Sequence, residues 1–218
     1  IAFPWQAIGD PQLQHDLKEA KDDLEKNTDI TKQAQAKLEQ VQQKLEIQKG
    51  QNRTLARIQG SLVWYTDVKK QKEFFEKKHE ENKAKLEAIT KRINKINDDL
   101  TDYTNPDSLA SQLADAAKNP DQKEKEDALL KEKVKQEEEC KNLKVEKEML
   151  EGAEDDLKAY SCSSDSPMEF LRKRQENRTE NSIETTKSLL KEAEKEVSTA
   201  QKAQDNSEAV VKKLSKTT

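Results

Sequence analysis

Leu86, Ile89, Ile93, Ile96, Leu100 and Tyr103 recur at alternating steps of three and four within residues 62–103. That spacing stacks apolar side chains on one stripe of a long helix, the seam of a heptad repeat. Thinner seams flank it. Leu13, Leu17, Ala20 and Leu24 keep the same steps, and Ala34, Leu38, Val41 and Leu45 resume in phase. Asn27 and Thr31 occupy the seam between them, and Gln48 and Asn52 follow. Polar seam residues cost stability and set register or partner number. Leu129, Leu143, Leu150 and Leu157 lie multiples of seven apart, and a seam without a slip runs from Ile183 to Leu214. The pattern predicts an all-α fold: an elongated antiparallel helical bundle, or coiled-coil hairpins, of about four long helices.

Breaks in the pattern mark the elements. Residues 1–10 carry Phe3, Trp5 and Ile8 and read as an apolar strap onto the first helix. Asp10-Pro11 opens that helix, which stops at Gly60 or, alternatively, Gly50. With Gly60 as the stop and Ser61 capping the next helix, residues 11–103 form an antiparallel hairpin. Leu17 and Leu24 then lie against Tyr103 and Ile96. Residues 104–119 form a linker with a short helix between Asn105-Pro106-Asp107-Ser108 and Asn119-Pro120-Asp121. Residues 120–218 form a second hairpin. Its last helix starts at Ser166-Pro167, with Ser166 and Glu169 as a capping box.

Composition narrows the chemistry. Of 218 residues, 39% are charged and 32% hydrophobic, with a net charge of -4. That is too little apolar material for a compact sphere and enough for thin seams. No run approaches the ~20 apolar residues of a membrane span. Basic residues alternate with acidic ones, which argues against nucleic acid and against an interfacial membrane helix. Nucleophile elbows, phosphate loops and dinucleotide fingerprints are missing, and two histidines leave little acid–base capacity. The expectation is a non-enzymatic protein with no cofactor and no metal.

Cys140 and Cys162 are the only cysteines, and neither lies in a metal-ligand spacing. On one straight helix they would be ~30 Å apart, too far for a disulfide. An intrachain bond requires Gly152 to break the helix so that Ala153–Tyr160 folds back, closing a loop worth about 3 kcal/mol. An interchain bridge is the rival. Asn52-Arg53-Thr54 and Asn177-Arg178-Thr179 are N-glycosylation sequons. With the cysteine pair they favour a secreted chain over a cytoplasmic coiled-coil fragment.

Three functions fit this chain. It binds another macromolecule, it dimerises or spaces other domains as a coiled coil, or it carries a small apolar ligand near Trp64, Phe74 and Phe75. The first is preferred, with a protein partner and with Trp5, Trp64, Tyr65 and Phe170 as candidate contact residues. An exposed end of the last helix leaves a homodimer open. In overall pattern the chain resembles the elongated helical surface and secreted proteins of parasites and blood-feeding arthropods. That resemblance implies action on host receptors, surface components or immune factors.

Overall fold

A computed structural model describes residues 10–217. The chain is all-α, with no strand among the described residues. Helix α1 spans Pro11–Leu62, α2 Val68–Thr101, α3 Leu109–Ala117, α4 Lys123–Tyr160, α5 Pro167–Arg178 and α6 Glu184–Thr217. A 3₁₀ turn, Pro120–Gln122, precedes α4, and a π-helical turn, Thr179–Ile183, joins α5 to α6. The strap of residues 1–9, Trp5 included, lies outside the described residues.

Local capping sets most starts. Asp10 Oδ1 accepts from Gln12 N at 2.9 Å, Ser108 Oγ from Ser111 N at 3.1 Å, and Ser166 Oγ from Glu169 N at 3.4 Å. Each satisfies a backbone donor that the first turn leaves unpaired. Two expected boundaries move. Helix α1 runs through Gly50 and Gly60 to Leu62, and α2 is capped by Asp67, which accepts from Lys69 N at 3.0 Å. Ser61 stays inside α1, its hydroxyl donating to Arg57 O. Leu55, Ile58 and Leu62 are all buried. Holding them in one helix outweighs the ~1 kcal/mol that a mid-helix glycine costs.

The chain forms two compact units, Ile1–Leu45 with Ile183–Thr218, and Glu46–Ser182. In the first, α1 and α6 run antiparallel. Asn27 Nδ2 donates to Ser207 Oγ at 2.6 Å, Thr31 Oγ1 donates to Ala200 O at 3.1 Å, and Lys37 pairs with Glu196 at 3.2 Å. Ala20, Thr31, Thr186, Ala193 and Ala200 are buried, while Leu13, Leu17 and Leu24 are half-buried. Small residues at the α6 seam let the backbones approach until Thr31 reaches a carbonyl across the pair.

In the second unit α2 runs antiparallel to α4. Ile93, Ile96 and Cys140 form a buried cluster edged by Ile89, Leu100 and Leu143. Arg92 grips Glu139 with two hydrogen bonds of 2.9 and 3.2 Å. The α2 stripe is aliphatic, whereas Asn27 and Thr31 of α1 find on α6 the partners that spare them unpaired burial. Tyr103, the expected end of that stripe, falls beyond the helix end and is 70% exposed.

Helix α1 adds a second stripe in this unit. Gln51 Nε2 donates to Glu148 O of α4 at 3.0 Å, while Gln59 and Gln175 of α5 are joined at 2.8 Å. Gly50 lies against Met149 and Gly152 against Gln51, too close for a Cβ at either position. Gly152 thus serves the approach of α1 to α4 instead of breaking α4, which is continuous. Where α1, α2, α4 and α5 meet, Leu55, Leu62, Phe75, Leu157 and Leu171 are almost fully buried.

Gly60, in contrast, has open space around its Cα. Gly60→Ala is expected to raise stability by up to ~1 kcal/mol, and Phe75→Ala to lower it by ~3–5 kcal/mol. Thermal unfolding followed by circular dichroism measures both.

Candidate docking surface

Leu62 is the last residue of α1 and is fully buried, so the turn after it starts from a fixed point. Trp64 N donates to Ser61 O at 3.3 Å and Tyr65 N to Leu62 O at 3.0 Å, closing the turn. Gln71 Nε2 reaches back to Tyr65 O at 2.8 Å. The Tyr65 ring lies 5.1 Å from that of Phe74, and Lys78 Nζ sits 5.5 Å over the Phe74 ring. Beneath, Phe75, Tyr160 and Phe170 contact one another at centroid distances of 4.5, 5.4 and 6.3 Å. Those rings are tilted or edge-on, the arrangements that favour aromatic pairs.

The turn itself faces outward. Trp64 is 86% exposed, Val63 65%, and Val68 at the start of α2 is also exposed. Lys69, Lys70 and Lys72 follow, all exposed. The result is an apolar knob with a basic flank on a rigid aromatic base.

The expected contact residues separate here. Trp64 stands free and Tyr65 is half-buried beside it. Phe170 is a correction: it is 8% exposed and belongs to the core, so it is closed to a partner. Val63 and Val68 were absent from the expectation. The run Leu62-Val63-Trp64-Tyr65, longer than one helix end can bury, is the signal that marks them. Phe75 is packed solid against two rings, and Trp64 points into solvent instead of the bundle.

The expected disulfide is also corrected. Cys140 and Cys162 are both free. Because α4 is unbroken, Cys140 stays in the α2–α4 seam, its Sγ 3.6 Å from Asn97 Oδ1, while Cys162 lies past the helix end, exposed in the α4–α5 turn. The two sequons meet one another. Asn52 Nδ2 donates to Thr179 Oγ1 at 2.9 Å and reaches Gln175 O at 3.4 Å, which turns the acceptor nitrogen of Asn52 into the α1–α5 contact. Asn177 is exposed, its Oδ1 accepting from Asn181.

Two polar contacts escaped the sequence reading. His79 lies 3.2 Å from the buried Glu154 of α4. Asp156, 1% exposed, is held by Arg174 and Arg178 of α5. No group of His, Cys, Asp or Glu suited to a metal ion is found among the described residues. Nor is any helix there long and apolar enough to cross a membrane. No protein-family model, curated protein or solved structure matches the chain.

The cysteine assignment predicts that Cys162 reacts with a thiol reagent in the folded protein and Cys140 only after denaturation. Electrophoretic mobility should be equal with and without reductant. Burial, and secondarily the charge of Glu76, pushes the Tyr160 hydroxyl above the ordinary tyrosine range. Its protonated form is favoured in the folded chain. The associated stability is therefore intact below about pH 10, the unfolded value, and is lost as pH rises through the higher folded value. Tyr160→Phe is expected to remove a late step from the ultraviolet titration and to flatten that alkaline loss.

Proposed function

We propose that this chain is a secreted, non-enzymatic binding protein whose antiparallel helix pairs serve as a stiff support for the Val63-Trp64 knob. The exposure of Trp64 on a hydrogen-bonded turn over packed rings carries the reading. A tryptophan left in water by the monomer gains most when a partner covers it, and aromatic anchors of this kind dominate binding energetics. A rigid base lowers the ordering cost of association. With Lys69, Lys70 and Lys72 beside the knob, the complementary surface is an apolar cleft with an acidic rim on another protein. Host or immune receptors and cell-surface components are the partner type that the chain's overall pattern suggests.

A second reading rests on a separate observation. In the unit of α1 and α6, Ile30, Ala34 and Ala203 line an open groove of about 600 Å³. A second copy of the chain laid there would make the pair a structural dimer. Sedimentation of the purified chain distinguishes the two, since a stable dimer transfers the role to self-assembly.

The test of the main reading compares wild type with Trp64→Ala across a panel of purified extracellular proteins and anionic lipid vesicles. A specific protein partner should lose ~30-fold or more in affinity, the scale of a hot-spot residue, with the melting temperature unchanged. Equal binding by both proteins, or binding to vesicles alone, overturns it.

A further inference from the structure

A cleft of about 290 Å³ opens where α5 passes into the π-helical turn. It is lined by Asp156, Arg174, Asn177, Arg178, Asn181 and Ser182, with no apolar side chain among them. Both carboxylate oxygens of Asp156 are engaged. Its Oδ1 accepts from Arg174 Nε at 2.8 Å and its Oδ2 from Arg178 Nη2. Two guanidinium groups against one carboxylate leave one positive charge in excess. Glu169 and Glu176, the carboxylates of α5, are engaged by Arg172. Glu180, in the π turn, is not among the lining residues.

The remaining hydrogen-bonding capacity is mostly donor. Among the described residues, only the Nε–H of Arg174 is used on Asp156. Arg178 Nη1 is buried with no acceptor. Asn177 Oδ1 is occupied by the Asn181 amide, which leaves the Asn177 nitrogen as a donor. A buried guanidinium N–H without an acceptor is costly. Neutralising Asp156 accounts for one arginine and leaves the other unexplained. The π turn adds a second observation. Such turns are rare and are frequently found at functional sites, and this one carries Asn181 and Ser182 at the mouth of the cleft.

We propose that the cleft binds a tetrahedral oxyanion, phosphate or sulfate, either free or as an ester group on a larger ligand. Arginine forks match the oxygen spacing of such groups and form short, charge-assisted hydrogen bonds with them. Arg174, half-buried at the mouth, makes the first contact. Arg178 is the deeper donor, and the Asn177 amide supplies the uncharged one. This inference does not depend on the Trp64 knob.

Isothermal titration of the full chain with inorganic phosphate and sulfate, against sodium chloride at equal ionic strength, tests it. One saturable site is expected for the oxyanions and none for chloride. Arg174→Gln should weaken binding by about tenfold or more, the loss of one charge-assisted donor set. The fold should persist, because Arg178 still faces Asp156. Asn181→Ala, at an exposed position, is the second variant and should weaken binding with the melting temperature unchanged. Side-chain amide signals of Asn177 and Asn181 should shift during the phosphate titration. O-phosphoserine binding at least as tightly as inorganic phosphate assigns the group to an ester, and weaker binding assigns it to the free ion. Absence of saturable heat and of amide shifts at ~10 mM phosphate overturns the proposal. Full affinity in Arg174→Gln does so as well, and leaves Arg174 and Arg178 as counter-charges to Asp156 only.

Discussion

Leu55, Leu62, Phe75, Leu157 and Leu171 come from four helices and bury one another almost completely. A chain with so few large apolar residues can build one such junction, and the remaining helices must manage with narrower contacts. Along α1 and α6 the seam is alanine, threonine and half-covered leucine. Along α2 and α4 it is a single aliphatic row with Cys140 opposite. Much of the hydrophobic stabilisation, at about 25 cal/mol per Å² of apolar surface buried, is therefore concentrated at the four-helix junction. The exposed turn that carries Trp64 grows directly from it, so the most solvent-facing aromatic rests on a densely packed base.

Polar groups decide which seams pair. Thr31 donates to the Ala200 carbonyl, and Asn27 to Ser207. Neither bond adds much net energy, but leaving either group buried and unpaired would cost about 1–3 kcal/mol. That asymmetry rejects wrong partners more strongly than it rewards right ones. Asp156 follows the same logic more deeply in the fold. A carboxylate with 1% exposure persists there because two guanidinium groups arrive from α5. Removing both partners would leave that buried charge uncompensated, at a typical cost of about 3–5 kcal/mol.

Helix existence was legible because it is local. The caps at Asp10, Ser108 and Ser166, the breaks at Asn105–Ser108 and Asn119–Asp121, and the unbroken steps from Ile183 to Leu214 depend on residues within a turn or two. Pairing is not local. Nothing in the heptad phase of α1 announces that Gly50, Thr54 and Ile58 will form a second stripe, since that stripe exists only once α4 lies beside it. Gly152 reads equally as a break and as room for Gln51, and only the approach of α1 decides. Trp64 was legible as a contact residue from its place in an aromatic run, whereas the exposed Val63 and Val68 were hidden by the usual fate of valine, which is burial. Asp156 was hidden among Glu151, Glu154 and Asp155, because the arginines that single it out lie 18 and 22 residues later.

The hydrogen bond between Asn52 and Thr179 couples chemistry to time. The amide nitrogen that would receive an oligosaccharide in the first sequon is donated to the hydroxyl of the second, and both are held by the meeting of α1 and α5. In a secretory compartment Asn52 is emitted from the ribosome long before Thr179, so the transferase has an interval in which the nitrogen is free. A sugar attached then would stand where α5 must dock. Assembly and modification at this position are rivals, and the slower of the two forfeits the residue.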